Sequence, residues 1–416
     1  MPPGFPSLIA AQFVSGLADH ALLIVTIARL GEIGAPLWWA PVLKLGFTLA
    51  YVLLAPWVGA LADAAPKPRV MLAANALKAV ACALLALGGD AMLAFALAGV
   101  GAAAYSPAKY GLITELVPPT RLVAANGWIE VATVGAALLG TVLGGALAAP
   151  WLLTAAAWSL PLAETGTRLA PGLGAVLALY GLAALLNLSI PDSGARYPRS
   201  AAGAAVTLRR FAADNRRLWA DAAGRVSLAV TTLFWGVGAT LQFVVLRWGQ
   251  ESLGLELHQA AGLQVAVAAG VIGGAAAAGA WLPLARATRV LPLGVAMGLL
   301  VPWLAAIEGT ASALPLLALV GGCAGFFVVP MNALLQHRGH QLLGAGRSIA
   351  VQNFNENLGV LALLTLYAAL SAAGLALDTL IWGLGGLVAV TTLLIARRPA
   401  PAARPTVPTA QENASS

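Results

Sequence analysis

The chain has 416 residues, of which 60% are hydrophobic and only 9% are charged, and its formal net charge is +7. Soluble globular proteins carry roughly 25% charged residues, because water must solvate their surfaces. The composition therefore excludes a soluble globular protein, and the high apolar fraction equally excludes a disordered chain. It predicts a protein whose solvent is the lipid bilayer.

Long apolar runs predict helices that cross this bilayer. A hydrocarbon core about 30 Å thick needs about 20 apolar helical residues, because unpaired backbone groups in lipid cost several kcal/mol. The runs are continuous, whereas an outer-membrane β-barrel would show alternating strands. The sequence thus predicts an all-α membrane protein with twelve transmembrane helices, at 8–28, 40–62, 70–88, 91–113, 126–149, 169–190, 226–246, 260–282, 290–307, 312–334, 347–370 and 376–396.

These spans form two sets of six. We predict an N-terminal half at 1–190, a basic cytoplasmic linker at 191–225, a C-terminal half at 226–396 and a disordered cytoplasmic tail at 397–416. Gly59-Ala60 recurs as Gly279-Ala280, with similar loops following both. Two six-helix halves in parallel repeat are the architecture of the major facilitator superfamily, in which substrate binds at the midplane between the halves.

The basic residues predict the orientation, because lysine and arginine collect in cytoplasmic loops. With both termini inside, 17 of the 23 basic residues fall on the cytoplasmic side and three, Arg29, Arg168 and Arg247, fall outside. The net charge is therefore a topology signal, and we predict no nucleic-acid partner.

Six aspartate, glutamate or lysine residues lie within the predicted spans, where a charge is costly and usually faces a cavity. Lys44 lies near a helix end and is predicted to snorkel to the headgroups. Glu130 is explained equally well as a helix-end partner or as a site residue, whereas Asp19 and Glu356 are too deep to reach an interface. The complete set is Asp19, Lys44, Lys78, Lys109, Glu130 and Glu356.

The eleventh span also contains a dense run of amides around Glu356. Helical spacing turns these groups onto more than one face, so lipid cannot surround them at low cost. They predict either a polar cavity or a hydrogen-bonded seam between helices. The run contains Gln352, Asn353, Asn355, Glu356 and Asn357.

Nothing in the sequence predicts an enzyme or a resident metal. It contains no phosphate-binding glycine loop, no zinc-type histidine spacing and no Gly-x-Ser-x-Gly turn. The four histidines are scattered, and Cys82 and Cys323 both lie in apolar stretches. We predict a secondary transporter or facilitator without a cofactor, which works downhill or on an ion gradient, with sodium as the candidate ion.

Several motifs resemble one family closely. The stretches GVGAAAYSPAKYGLITEL (99–116), GFFVVPMNALLQHRG (325–339) and GAGRSIAVQNFNENLG (344–359) are similar to those of bacterial lysophospholipid transporters. LADHALL (17–23) and LFWGVGATL (233–241) add to this similarity. The resemblance implies a carrier that moves lysophospholipids, chiefly 2-acyl-glycerophosphoethanolamine, from the outer to the inner leaflet of the bacterial inner membrane. There an acyltransferase re-acylates them.

The resemblance also implies the site. Asp19, Lys109 and Glu356 would handle the headgroup, whereas Gln242 replaces the expected arginine of span 7 and Arg247 follows five residues later. In the loop GALADAAPKPRV (59–70), Asp63 and Arg69 would take part in gating. We predict substrate binding by Asp19, Lys109, Gln242, Asn353 and Glu356, with support from Lys78, Tyr105, Glu130, Arg247, Asn332, Gln352 and Asn357.

Such a substrate needs a cavity that is charged on one side and apolar on the other. Lys109 would bind the phosphate, and Asp19 or Glu356 would bind the ethanolamine ammonium. Two alternatives stay open: a drug or metabolite carrier of the same superfamily, and a membrane anchor for an acyltransferase that transports nothing.

Overall fold

A computed structural model of the chain describes residues 1–35, 39–149, 167–197 and 203–397. The predicted disordered tail lies outside the described residues, apart from Arg397. Every regular element in the described ranges is helical. The α-helices are α1 (Phe5–Glu32), α2 (Trp39–Ala64), α3 (Lys67–Ala86), α4 (Ala91–Leu116), α5 (Leu122–Leu147), α6 (Ala170–Leu188), α7 (Ala204–Ala220), α8 (Ala222–Glu251), α9 (Leu257–Trp281), α10 (Leu291–Leu300), α11 (Thr310–Leu343), α12 (Ala345–Ala372) and α13 (Leu377–Ala396).

Eleven helical segments in the described ranges are long and apolar enough to cross a membrane. They correspond to every predicted span except the eleventh. At that position lies α12, which has 28 residues but carries the polar run around Glu356. The predicted all-α membrane fold is thus confirmed, and the protein is a multi-pass membrane protein.

The ninth span is less regular than the sequence predicts. Its α-helical part is only the ten residues of α10, between 3-10 turns at Leu284–Val290 and Val301–Ala306. Pro302 lies in the second of these turns and has no backbone N–H to donate, which helps to explain why the α-helix ends there.

The two halves meet near one end of the bundle, which we call the linker end because residues 191–197 and 203–221 lie there. A Cβ on Gly59 of α2 would come within 2.6 Å of the Ala350 Cβ on α12. A Cβ on Gly127 of α5 would come within 3.2 Å of the Gly279 Cα on α9. Because larger residues would force these helix pairs apart, the small residues keep the linker end closed.

The linker between the halves contains helix α7, which attaches mainly to the C-terminal half. Asp214 of α7 pairs with Arg347 at the start of α12. Asp221, which also caps α8 by accepting from the Gly224 N–H at 2.9 Å, pairs with Arg338 at 2.6 Å. The hydrogen bond from Arg338 lowers the pKa of Asp221. These contacts indicate that α7 moves with the C-terminal half.

Candidate functional site

The centre of the bundle contains one cation and two acids at the junction of the halves. Lys109 of α4 and Glu130 of α5 are both buried, with 8% and 4% of their surface exposed. The charge of Glu130 acts on Lys109, but the two groups form no ion pair. In the described part of the chain, the only contact recorded for the Lys109 ammonium is with the Tyr110 ring, whose centroid lies 4.0 Å away. The Lys109 side chain is therefore buried, and no acidic side chain of the described residues lies within ion-pair distance of it.

The second acid, Glu356 of α12, belongs to the C-terminal half. It accepts a hydrogen bond from Gln352 at 2.7 Å, and Thr231 of α8 lies beside it. Gln352 also donates to Asn332 of α11 at 3.0 Å. Glu130 and Glu356 both act electrostatically on Tyr110 of α4.

The rest of the polar run on α12 forms interhelical contacts rather than a continuous cavity wall. Asn353 donates to Ser106 of α4 at 2.9 Å, which joins the two halves. Asn355 donates to Asn215 of α7 at 2.9 Å and accepts from the Trp219 indole. Asn357 donates to the Asn353 carbonyl of its own helix. Most of the amides therefore form a hydrogen-bonded seam between helices, and a binding role for Glu356 stays a prediction.

Asp19 and Lys78 form a separate network inside the N-terminal half. The Lys78 ammonium lies 2.7 Å from one Asp19 oxygen and 3.1 Å from the Ser15 hydroxyl. The Tyr180 hydroxyl donates to the other Asp19 oxygen at 2.8 Å. Both carboxylate oxygens of Asp19 thus have partners, whereas the sequence suggested that this carboxylate would bind substrate.

Tyr105 supports this network from α4. Its ring centroid lies 5.1 Å from the Lys78 ammonium, and its buried hydroxyl has no hydrogen-bond partner. Gly101 allows the close approach of α3, since a Cβ there would come within 2.8 Å of the Lys78 side chain. The network combines residues from α1, α3, α4 and α6.

Gln242 and Arg247 lie apart from the central group, toward the end of the bundle opposite the linker. The Gln242 side chain is exposed, and its backbone carbonyl accepts from Gln264 of α9 at 3.0 Å. Arg247 pairs with Glu251 at 2.6 Å and donates to Ser371 of α12 at 2.8 Å. The geometry therefore gives Arg247 two protein partners and leaves the Gln242 amide accessible.

One face of α8 follows the space between the halves. Phe234 packs against a hydrophobic cluster that both halves share, whereas Gly238 and Gln242, one and two turns further on, are exposed. Residues four apart lie on one side of a helix. This face of α8 therefore contacts the N-terminal half near the linker end and loses that contact further along the helix.

The predicted gating loop is built around Asp63, which sequence similarity identified without indicating its partners. Its carboxylate accepts from the Gly346 N–H at 2.6 Å and the Arg347 N–H at 3.1 Å, at the start of α12. A carboxylate is favourable at a helix N-terminus, where N–H groups are unpaired. Arg69 is exposed. Asp63 thus binds the halves together at the linker end.

Sequence reasoning missed two further polar contacts at this end. Lys67 pairs with Glu115 at 2.6 Å in a buried ion pair, and Glu115 also accepts from Ser193 at 2.5 Å. Asn126 of α5 and Gln336 of α11 exchange two hydrogen bonds, at 2.9 and 2.8 Å, across the halves. Lys67 and Glu115 look like ordinary loop residues in the sequence, because each lies at the end of a span.

Replacing Gln336 with leucine is expected to open the linker end. The change removes both hydrogen bonds across the halves and leaves the buried Asn126 side-chain oxygen without a donor, which costs about 1–3 kcal/mol. The Asn126 Nδ2 keeps its bond to the Leu122 carbonyl at 3.0 Å. The measurement is maleimide labelling of a single cysteine introduced at Ala345, which is buried beside Gly111, in a background without Cys82 and Cys323.

Labelling should increase roughly tenfold in Gln336→Leu. A smaller increase is expected when Asn126→Leu is added, because no unpaired amide then remains. Equal labelling of the wild type and Gln336→Leu would show that this amide pair does not hold the halves together.

Comparisons with known proteins agree with this architecture. The profile of the Major Facilitator Superfamily matches residues 8–363. The lysophospholipid transporter LplT of Cronobacter sakazakii is 41% identical over 366 residues, which are 88% of each chain. This chain belongs to the LplT family of the Major Facilitator Superfamily. LplT of Shigella flexneri is 39% identical over 398 residues, which are 95% of this chain and 96% of that protein.

The solved structure of the superfamily transporter FucP in the outward conformation shares the fold with the LplT family member described here. The TM-score is 0.71, with 15% identity over 94% of this chain and 97% of that one. Within the described residues, no group of three or more His, Cys, Asp or Glu side chains could hold a metal ion.

Proposed function

We propose that this protein transports lysophospholipids from the outer to the inner leaflet of the bacterial inner membrane. Similarity to named lysophospholipid transporters over most of the chain supports the substrate class. The observation that carries the proposal is the buried Lys109 side chain, which has no ion-pair partner and on which the charge of Glu130 acts. A zwitterionic headgroup presents the complementary pair of charges.

Lys109 binds the phosphate in this proposal. Glu130 and Glu356 flank the same central space and bind the ethanolamine ammonium. Charge-assisted hydrogen bonds of this kind are roughly twice as strong as neutral ones, and they strengthen in a site that excludes water. Asp19 contributes less directly, because Lys78 and Tyr180 occupy both of its carboxylate oxygens.

We place the linker end and both termini in the cytoplasm. The excess of basic residues in the loops of that end supports this orientation. The described conformation is then closed toward the cytoplasm by the contacts of Asp63, Gly59 and the Asn126–Gln336 pair. Rocking of the two halves would break these contacts and release the headgroup on the inner side.

Transport proceeds by facilitated diffusion in this proposal, and coupling to sodium is the alternative that the experiment separates. A lysophospholipid delivered to the inner leaflet is the substrate of an acyltransferase, which would keep the reaction moving inward by consuming the product. The protein itself acts as a carrier and not as an enzyme.

The test is uptake of labelled lysophosphatidylethanolamine by proteoliposomes that contain the purified protein, with and without a sodium gradient. We expect inward movement in both conditions, and a dependence on the gradient would instead indicate coupling. Gln242→Arg is compared in parallel, because that position carries an arginine in the family pattern. If protein-free liposomes and proteoliposomes behave alike, the protein is not a lysophospholipid carrier.

A further inference from the structure

The linker helix α7 carries four arginines on the sides that do not face the bundle. Leu218 is fully buried and marks the packed side of the helix. At about 100° per residue, Arg209 and Arg216 lie opposite Leu218, and the other two lie on an adjoining side. Within the described residues, none of the four guanidinium groups has an ion-pair partner. The arginines, all exposed, are Arg209, Arg210, Arg216 and Arg217.

Helix α7 packs along the side of α12 and not only against its end. Asp214 pairs with Arg347 near the start of α12. Further along, the Phe211 ring lies edge-on to the Phe354 ring, with the two centroids 5.2 Å apart. Phe354 follows Ala345, the first residue of α12, by nine residues, about 14 Å along the helix axis. The contact with α7 therefore extends well into α12.

The length of α12, the eleventh span of the fold, sets the depth of this contact in the membrane. Its 28 residues are about 42 Å long, whereas the hydrocarbon core is about 30 Å thick. At most about 12 Å of α12 can therefore extend beyond the core at the linker end. Because Phe354 lies further in than this, α7 reaches the lipid headgroups beside the bundle.

The first two turns of α7 also expose large apolar side chains. Val206 and Leu208 are 42% and 48% exposed. Apolar groups beside exposed arginines are typical of a helix that lies in the membrane interface, where the apolar groups enter the boundary of the acyl chains. At the depth of the headgroups, this composition favours lipid over a soluble partner.

We propose that the arginines of α7 bind the phosphate groups of anionic lipids in the leaflet at the linker end. Arginine suits this role, because its planar guanidinium group can donate two hydrogen bonds to one phosphate. Four unpaired positive charges attract an anionic lipid more strongly than a zwitterionic one, whose ammonium group they repel. Phosphatidylglycerol has the required chemistry, a phosphate and no ammonium. In the orientation proposed above, this leaflet is the inner one.

Bound lipids hold the C-terminal half at the membrane surface. Asp214 and Asp221 join the linker helix to Arg347 and Arg338 of that half. The Arg347 N–H also donates to Asp63, in one of the contacts that close the linker end. Anionic lipid therefore binds one ion pair away from a contact between the two halves.

The test measures which lipids surround α7 in nanodiscs that contain the full-length protein. A bimane fluorophore is attached to Ala213→Cys, in a background without Cys82 and Cys323. Ala213 is exposed between the two pairs of arginines, so the fluorophore reports on the lipids beside them. A nitroxide quencher near the headgroup is carried either by phosphatidylglycerol or by the same amount of phosphatidylcholine. We expect phosphatidylglycerol to quench at least about fivefold more strongly, because each arginine near an anionic surface contributes about that factor in binding.

Removing two of the arginines, in Arg209→Gln combined with Arg216→Gln, should lower this preference by about fivefold or more. Both side chains lie away from the packed side of α7, so the fold is preserved. Arg286→Gln combined with Arg289→Gln is the matched control, because it removes the same charge from exposed residues of the 3-10 turn Leu284–Val290, also at the linker end. The control should keep the wild-type preference.

Three results would overturn the proposal. Equal quenching by the two lipids in the wild type would mean that the arginines do not select anionic lipid. Equal losses in both double variants would mean that total charge, and not α7, attracts it. Quenching by neither lipid would place the arginines in the cytosol and favour a soluble acidic protein as the partner. The measurement uses no lysophospholipid, so its outcome is independent of the proposed function.

Discussion

Replacing Lys109 with methionine is expected to reduce lysophospholipid transport by about ten- to a hundredfold without destabilising the protein. The factor follows from the loss of one hydrogen bond to a charged group, about 1.5–3 kcal/mol. Methionine keeps most of the side-chain volume beside Tyr110, so packing is preserved. The measurement is the initial rate of lysophosphatidylethanolamine uptake in proteoliposomes, together with the thermal unfolding temperature in detergent.

The stability result is as informative as the transport result. A buried charge that forms no ion pair has lost its hydration, and no ion pair compensates for that loss. Its removal should therefore leave the unfolding temperature unchanged or raised. If Lys109 served only folding, its removal would lower the unfolding temperature. Loss of transport at unchanged or higher stability is therefore the signature of a substrate-binding cation.

Two variants complete this experiment. Lys109→Arg keeps the charge but changes its shape, and it should retain partial transport. Arg286→Met removes an exposed cation at the linker end and should leave both measurements near wild type. Wild-type transport in Lys109→Met would remove Lys109 from the mechanism and leave the phosphate without a recognised partner in the central site.

The fold could be predicted almost completely from the sequence, because the bilayer imposes a single length scale on apolar helices. The same length scale predicts the span at α12, although the polar run there makes it less apolar than the other spans. The short α10 was not foreseen, since apolar 3-10 turns such as Val301–Ala306 have the same composition as an α-helix.

The site was predictable only in part, since sequence identifies charged residues in the membrane but not their partners. Lys109, Glu130 and Glu356 were all found by their cost in lipid. Whether Asp19 was free or paired could not be read from the sequence, because Lys78 and Tyr180 lie 59 and 161 residues away along the chain.

The pairing of Asp19 leads to the second large effect that we expect. Asp19→Ala should destabilise the protein by about 3–5 kcal/mol, because it leaves the fully buried Lys78 without its acid. The double variant Asp19→Asn with Lys78→Met has no unpaired charge and should recover most of that loss. Thermal unfolding in detergent measures these variants together with the single variants Asp19→Asn and Lys78→Met, and the coupling is the deviation of the double variant from the sum of those two.

Transport distinguishes a positioning role for Asp19 from direct contact with the headgroup. Lysophosphatidylethanolamine carries an ammonium group, whereas lysophosphatidylglycerol carries none. If Asp19 only holds Lys78 in place, the double variant should change the uptake of both lipids by the same factor. A selective loss of the ethanolamine lipid would mean that Asp19 releases Lys78 during the cycle and binds the ammonium itself. Glu356→Gln is the matched comparison, because its carboxylate lies in the central space and its loss should affect the ethanolamine lipid more.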